Sequence, residues 1–387
     1  MHRAIYLDHH ATTPLAPEAR AAMLPFLDEE YGNPSSTGHE LGRRAARALE
    51  EAREVVASAV GARRGEVIFT SGATESDNLA ILGAARALRG RGDHVVTCAT
   101  EHRAVLDACA QLEREGFRVT VLPVESNGVL DLERLERAID DHTVLVSLMH
   151  GNNEIGVLHD LAGAAERCHR RGALLHSDAT QALGRLPLDL QALGVDLLSI
   201  TAHKAYGPKG VGALVARGGF EALQLAPLFH GGGQEGRVRP GTQNTIGIAG
   251  FAAACALIPS RLAPDAARAQ RQSREFLARL RAVAADLVVH GDLERRLPGN
   301  LNLRFPGLAA RALMERLPEL ALSAGAACHS GSAHPSHVLA ALGLDAEQAR
   351  CAVRIGFGRT TTDDDVERAA ASFERALREL RPRATRA

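Results

Sequence analysis

The sequence predicts an α/β protein: a mainly parallel central sheet with helices on both faces, followed by a smaller α+β domain. Two observations predict it. From about residue 40 to residue 216, short apolar runs alternate with stretches of helical period. Around I-P-S-R-L-A-P-D (258–265) that alternation stops, and a long amphipathic stretch over about 265–285 leads into a region with fewer strands. A third observation agrees: polar residues gather where the apolar runs end, and that is where open α/β sheets bind ligands.

The elements follow in order. His39–Val60, rich in arginine and glutamate, has helical spacing and stops at Gly61. E-V-I-F-T (66–70) is a strand, Thr74–Leu88 a helix and H-V-V-T-C (94–98) the next strand. A helix over 104–115, the strand F-R-V-T-V-L-P-V (117–124), a helix over 131–139 and the strand T-V-L-V-S-L-M (143–149) continue the series. After a helix at 161–171 come the strands A-L-L-H-S-D (173–178), V-D-L-L-S-I (195–200) and G-A-L-V-A (212–216). Strands this short and apolar, separated by helices, are buried on both faces and pair mostly in parallel. L-P-G-N and R-F-P-G interrupt the C-terminal region, and R-P-R-A-T-R-A reads as a frayed tail.

Composition narrows the function classes. The chain has 387 residues, room for two or more core-bearing domains, at about 100–200 residues each. A formal charge of −1 with acids and bases interleaved offers no field for nucleic acid or an acidic membrane. Aromatics at 3% and no tryptophan also argue against base-stacking platforms. No apolar run reaches the roughly 20 residues that span a bilayer. M-H-R-A-I-Y-L-D-H-H has no apolar signal region, so a cytoplasmic protein with reduced thiols is expected. The six cysteines, Cys98, Cys109, Cys168, Cys255, Cys328 and Cys351, form no C-x-x-C pair.

The two lysines stand out. Lys204 and Lys209 lie together in S-I-T-A-H-K-A-Y-G-P-K-G, and every other basic side chain among the 45 is arginine. A desolvated lysine amine can lose its proton and join an aldehyde, whereas a guanidinium stays charged. Lys204, with Thr201 and His203, follows the strand 195–200. After strand 66–70, S-G-A-T-E-S enters a helix with small residues that let backbone amides approach an anion, and Thr74 adds a hydroxyl. An ordinary capping box with Thr74 as cap and Asp77 as its partner explains that segment equally well. His102 follows strand 94–98, where a lone histidine is more often structural than catalytic. The asparagines of H-G-N-N-E-I-G follow strand 143–149 and suit a turn as well as a ligand. Asp178 ends an otherwise apolar strand, with Gln181 just beyond, and a buried carboxylate there needs a cationic partner. A lysine, a carboxylate, an imidazole and an anion cup on one sheet edge are what pyridoxal phosphate requires.

The segments G-N-P-S-S, F-T-S-G-A-T-E-S-D-N-L-A, T-E-H-R-A-V-L-D, N-N-E-I-G, D-A-T-Q, H-K-A-Y-G-P-K-G, G-G-G-Q-E and R-P-G-T make the chain recognisable as a set. From Y-L-D-H-H-A-T-T-P (6–14) to R-I-G-F-G-R-T-T (354–361) it resembles the cysteine desulfurases of the class V aminotransferase superfamily, the NifS and IscS type. The resemblance implies a PLP-dependent transferase of fold type I, with a large cofactor-binding domain over 14–258 and a small domain from 1–13 and 259–387. It implies pyridoxal 5'-phosphate joined to Lys204, Asp178 facing the pyridinium nitrogen, Gln181 on the phenolic oxygen and His102 stacked on the ring. Ala73, Thr74, Thr201 and His203 match the phosphate-binding positions. Thr242 matches a phosphate contact given by the neighbouring subunit of a homodimer, and Asn153 and Arg354 match the groups that hold the substrate carboxylate.

The implied nucleophile is Cys328 in S-A-G-A-A-C-H-S-G-S-A-H-P-S-H, flanked by small residues and next to His329. It would take sulfur from L-cysteine as a persulfide, release alanine and pass the sulfur to an acceptor protein. Cys328, His329, His334 and His337 also form a ligand-rich run, but zinc sites recruit ligands from two segments and no second cluster is evident, so no metal is expected. The other five cysteines sit in helix or strand patterns and read as buried thiols. Thr201-Ala202 replaces the usual Ser-Gly, and His10 stands where the family often has a small or polar residue. G-A-A-C-H-S is similar to selenocysteine lyase, so L-selenocysteine is the alternative substrate. An aminotransferase-like enzyme that does not use Cys328 is the second alternative, and a catalytically silent sulfur-trafficking scaffold the rival outside enzymes.

Overall fold

The parallel sheet is present in the computed structural model, which describes residues 4–324 and 336–381. In chain order its strands are β1 (Ile5–Tyr6), β2 (Val67–Thr70), β3 (His94–Cys98), β4 (Arg118–Leu122), β5 (Thr143–Ser147), β6 (Leu174–Asp178), β7 (Leu197–Thr201) and β8 (Gly212–Ala216). Then come β9 (Val288–Val289), β10 (Asn300–Arg304), β11 (Leu320–Ala321), β12 (Ser323–Ala324) and β13 (Ala352–Gly356). The main sheet has the order β2-β8-β7-β6-β5-β3-β4. β3 to β7 run parallel through helical crossovers, while β8 is antiparallel to both of its neighbours. The chain between Thr201 and Gly212 is shorter than the dozen or so residues a parallel crossover needs, so β8 must turn back on β7. β2, antiparallel to β8, therefore points the same way as β7.

Side chains alternate along each strand and sort the core into two layers. Val95, Leu197 and Leu214 pack with the helices Ala73–Ala87 and Arg103–Arg114. Their neighbours Val96, Leu198 and Val215 pack on the opposite side, with the helices Glu40–Ser58, Leu161–Arg170 and Thr245–Ala256. Continuous apolar runs thus form a sheet covered on both faces.

A second core gathers the C-terminal region. A sheet of order β12-β13-β10-β9 backs onto the helices Ile258–Val283 and Asp363–Leu380. Phe276 meets Phe357 and Phe373 edge-on, at 5.5 and 5.4 Å. β1 pairs in parallel with β11, so the N-terminal strand joins this region. The change of pattern at 258–265 is not a break in the helix, which runs from Ile258 through Pro264 to Val283. Pro259 sits in the first turn, where an amide hydrogen has no intrahelical partner to lose. No single helix among the described residues is long and apolar enough to cross a membrane.

Candidate active site

The C-terminal ends of β2, β3, β5, β6 and β7 lie along one edge, joined by the N-terminal end of β8. A cleft of about 450 Å³ opens there. Ala73, Thr74, His102, Asn153, Asp178, Gln181, Thr201, His203, Lys204 and Arg354, all expected from the sequence, line it, together with His10, Thr180 and Lys209. Thr242 is exposed and lies off the cleft. Cys328, His329 and His334 are outside the described residues. A larger cleft of about 1170 Å³ runs past Arg53, Phe220 and Glu235. Its buried charges, Arg53 and Glu235, already pair at 2.6 Å, so the smaller cleft is the one with chemistry to offer.

One wall is the start of helix Ala73–Ala87. Gly72, at φ 150°, is the cap, and among the described residues no side-chain cap bond is made to the first turn. The leading N–H groups of a helix have no partner within it, so this end presents donors and the positive pole of the helix dipole. The expected alternative, a capping box of Thr74 and Asp77, does not form. Glu75 takes the Ser71 N–H at 2.7 Å, Ser76 bonds Thr70 Oγ1 at 2.8 Å, and Asp77 is fully buried further along. A Cβ on Gly212 would fall 2.6 Å from the Ile200 carbonyl oxygen and 2.8 Å from Gly72 Cα. The cup is therefore built of backbone too close for side chains. Thr201 closes it, its hydroxyl donating to the Val211 carbonyl at 3.2 Å. Gly212→Val should weaken uptake of pyridoxal phosphate by the apoprotein about ten- to a hundredfold, since overpacking costs typically ~1–3 kcal/mol. Titration with the cofactor beside a far-ultraviolet circular dichroism spectrum checks this, and wild-type affinity in the variant would remove the cup from the argument.

Lys204 follows β7 in a short turn. Its Nζ donates to the His10 carbonyl at 2.7 Å. The side chain is partly open to the cleft but otherwise ringed by protein. Burial first, then the charges of Arg354 and Arg185, push its pKa down to about 7, against the opposing pull of Asp178 and Asp8. Much of the amine is therefore uncharged at neutral pH, as a nucleophile or base must be. Burial and the two lysines likewise bring neighbouring His203 down to about 4, so its imidazole is neutral. The A-T-T segment fixes this turn. Thr13 Oγ1 and N both donate to the His203 carbonyl at 2.9 Å, and Thr12 Oγ1 lies 3.1 Å from His203 Nδ1.

Asp178 ends β6 inside the cleft and accepts the Thr180 N–H at 2.9 Å. His102 caps helix Arg103–Arg114, its Nδ1 accepting from Ala104 N at 3.2 Å, so a neutral ring carries its proton on Nε2. Arg354 reaches in from β13. Its Nη2 pairs with Asp8 at 2.7 Å and Nη1 donates to the Asn153 carbonyl at 3.1 Å. The cation is thus held in place, with Asn153 beside it. Sequence reasoning missed His10, Asp8, Thr12 and Thr13, although Y-L-D-H-H-A-T-T-P was among the segments carrying the resemblance.

The first residues described after position 335 are tied to the same edge. Ser336 Oγ donates to Glu154 at 2.5 Å, and His337 Nε2 to the Glu101 carbonyl at 2.8 Å, next to His102. No group of three metal-ligating side chains occurs among the described residues. Cys98, Cys109, Cys168, Cys255 and Cys351 are all buried. Burial pushes the thiol of Cys98 up to about 11 and those of Cys109 and Cys168 up to about 12. They stay protonated and packed as small hydrophobes.

The residues present suit pyridoxal phosphate: a backbone anion cup, a carboxylate, a neutral imidazole and a lysine amine open to one cleft. Residues 5–369 match the family described as Aminotransferase class-V. The chain is 46% identical over 379 residues to the cysteine desulfurase IscS of Vibrio campbellii, covering 97% of this chain and 93% of that one. The solved structure of a NifS-like protein superposes with a TM-score of 0.90 at 34% identity, over 97% of this chain and 100% of the other. A NifS-like protein from Rickettsia africae gives 0.85 at 30% identity, over 98% and 99%.

Proposed function

The chain belongs to the class-V aminotransferase family of pyridoxal phosphate enzymes, and from that premise we propose that it is a cysteine desulfurase. It converts L-cysteine to L-alanine and leaves the sulfur as a persulfide on Cys328. The observation that carries this reading is Lys204, the amine brought to about neutrality in a cleft that also holds Asp178 and Arg354.

Bound pyridoxal phosphate supplies a carbonyl for an amine to join and a ring that draws electrons from the substrate's α-carbon. The chain's residues do the rest. The start of helix Ala73–Ala87, with Thr74, Thr201 and His203, would hold the phosphate. Asp178 would pair with the ring nitrogen and favour its charged form, Gln181 would donate to the phenolic oxygen, and His102 would cover the ring. Arg354 and Asn153 hold the substrate carboxylate, Arg354 sharing its fork between Asp8 and the incoming anion. That leaves the α-hydrogen near Lys204, whose free amine removes it and later returns a proton. The thiolate of Cys328 attacks the substrate's sulfur. A sulfur–sulfur bond forms, the carbon–sulfur bond breaks, and its electron pair returns to the carbon skeleton, which takes a proton and leaves as alanine.

The persulfide sulfur passes to an acceptor protein for iron–sulfur cluster or thio-cofactor assembly, in the cytoplasm. The working form is a homodimer. Thr242 is exposed and off its own chain's cleft, which supports its serving the phosphate of the second copy. The large domain is 14–258 and the small one is 1–13 with 259–387. The test is product stoichiometry with cofactor-loaded protein and excess reductant. One alanine and one sulfide per L-cysteine consumed is the expected result. Turnover of L-selenocysteine alone would make it a selenocysteine lyase, and turnover of neither would sink the assigned reaction.

A further inference from the structure

His10 reaches the cleft from the segment after β1, and two contacts join it to Gln181. Gln181 Nε2 donates to the His10 carbonyl at 2.9 Å, and Gln181 Oε1 lies 3.0 Å from His10 Nδ1. The first contact fixes which end of the amide is nitrogen. Oε1 can only accept, so His10 must carry its proton on Nδ1. Nε2 is then the bare nitrogen, buried and without a hydrogen-bond partner among the described residues. The ring is fully buried and lies close against the Gly356 backbone, where an added Cβ would fall 2.7 Å from its Cδ2. Burial first, and then the cations Arg185, Arg354 and Lys204, hold its pKa well below the usual value, against the hydrogen bond to Gln181. His10 is a fixed neutral donor and not an acid or a base. The same carbonyl that receives Gln181 receives Lys204 Nζ at 2.7 Å, so one peptide unit sets the lysine and the amide together.

We propose that His10 is a positioning residue, whose Nδ1–H locks the Gln181 amide so that its second Nε2 hydrogen serves the phenolic oxygen of bound pyridoxal phosphate. The inference rests on the cofactor reading above. A donor held at that oxygen withdraws charge from it and lowers the basicity of the nitrogen by which Lys204 joins the cofactor. Without the lock, only the residue-10 carbonyl holds the amide, and its second Nε2 hydrogen is no longer aimed firmly at that oxygen. An asparagine amide at this position could make the same donation to Oε1.

The experiment is a pH titration of the visible absorption of the holoenzyme, for wild type, His10→Ser, His10→Asn and Gln181→Ala. The midpoint should rise by about one unit in His10→Ser and in Gln181→Ala, and stay near wild type in His10→Asn. The double variant His10→Ser/Gln181→Ala should move no further than either single one, because both remove the same donor. If His10→Ser does not fold, His10→Phe keeps a ring without the Nδ1 donor and should show the same rise. A midpoint unmoved in these variants, or moved equally by serine and asparagine, overturns the inference. Absence of any cofactor band in wild type would instead bring down the cofactor reading, and the inference with it.

Discussion

Lys204→Ala should abolish turnover of L-cysteine, by about 10³-fold or more, while the chain still takes up pyridoxal phosphate. General acid–base transfer alone contributes about 10²–10⁴, and in the proposed reaction Lys204 is also the amine that joins the cofactor. The phosphate cup does not depend on it, since Gly72, Gly212 and Thr201 are built from β2, β7 and β8. Lys204→Arg should fail equally, because a guanidinium cannot give up its proton at any working pH. The depressed pKa has a consequence of definite sign. The free amine is the reactive form and grows as pH rises through about 7, so the rate of cofactor capture by wild-type apoprotein should climb there and level off above. Absorbance stopped-flow between pH 6 and 9 reads it. A midpoint near the ordinary lysine value would mean that burial and Arg354 do not act on this amine as the structure implies.

Much of this was legible in the sequence because it is local. Short apolar runs between stretches of helical spacing placed H-V-V-T-C and G-A-L-V-A at β3 and β8 to the residue. The parallel run of β3 to β7 was legible from strands alternating with helices, but the reversal of β8 was not, because apolar spacing is the same for either direction. Only the short return from Thr201 to Gly212 reveals that β8 is antiparallel. Ten of the expected site residues line one cleft, nine of them because each follows a strand whose end was already visible, while Arg354 lies within β13, which the sequence pattern did not reveal. The others needed contacts that no local pattern carries. His10 meets Gln181 across 171 positions, and Asp8 meets Arg354 across 346. The capping box at Thr74 was misread for a related reason. Its spacing fits, but the helix starts at Ala73, with Gly72 as its cap, so Thr74 stands in the first turn and Asp77 is drawn into the core.

Cys328→Ser should divide the reaction in two. Serine keeps the shape of cysteine, but its hydroxyl does not ionise near neutral pH and its oxygen does not form a stable bond to sulfur. Alanine and sulfide production should fall by about 10³-fold or more, as for loss of a nucleophile elsewhere. Removal of the α-hydrogen does not involve Cys328. It needs Lys204, Asp178 and a substrate held by Arg354, all in the cleft described. The variant should therefore keep exchanging the α-hydrogen of L-cysteine with deuterium from solvent, a signal read by NMR without any product forming. Wild type treated with L-cysteine and no reductant should gain one sulfur atom of mass on the peptide containing Cys328, and the variant none. The five remaining cysteines cannot substitute, being buried, with the thiols of Cys98, Cys109, Cys168 and Cys255 pushed upward by burial. Undiminished turnover in Cys328→Ser would place the protein with the aminotransferase-like enzymes that share this fold. Loss of both exchange and turnover would show that Cys328 shapes the cleft itself, and the two-stage division of labour would have to be abandoned.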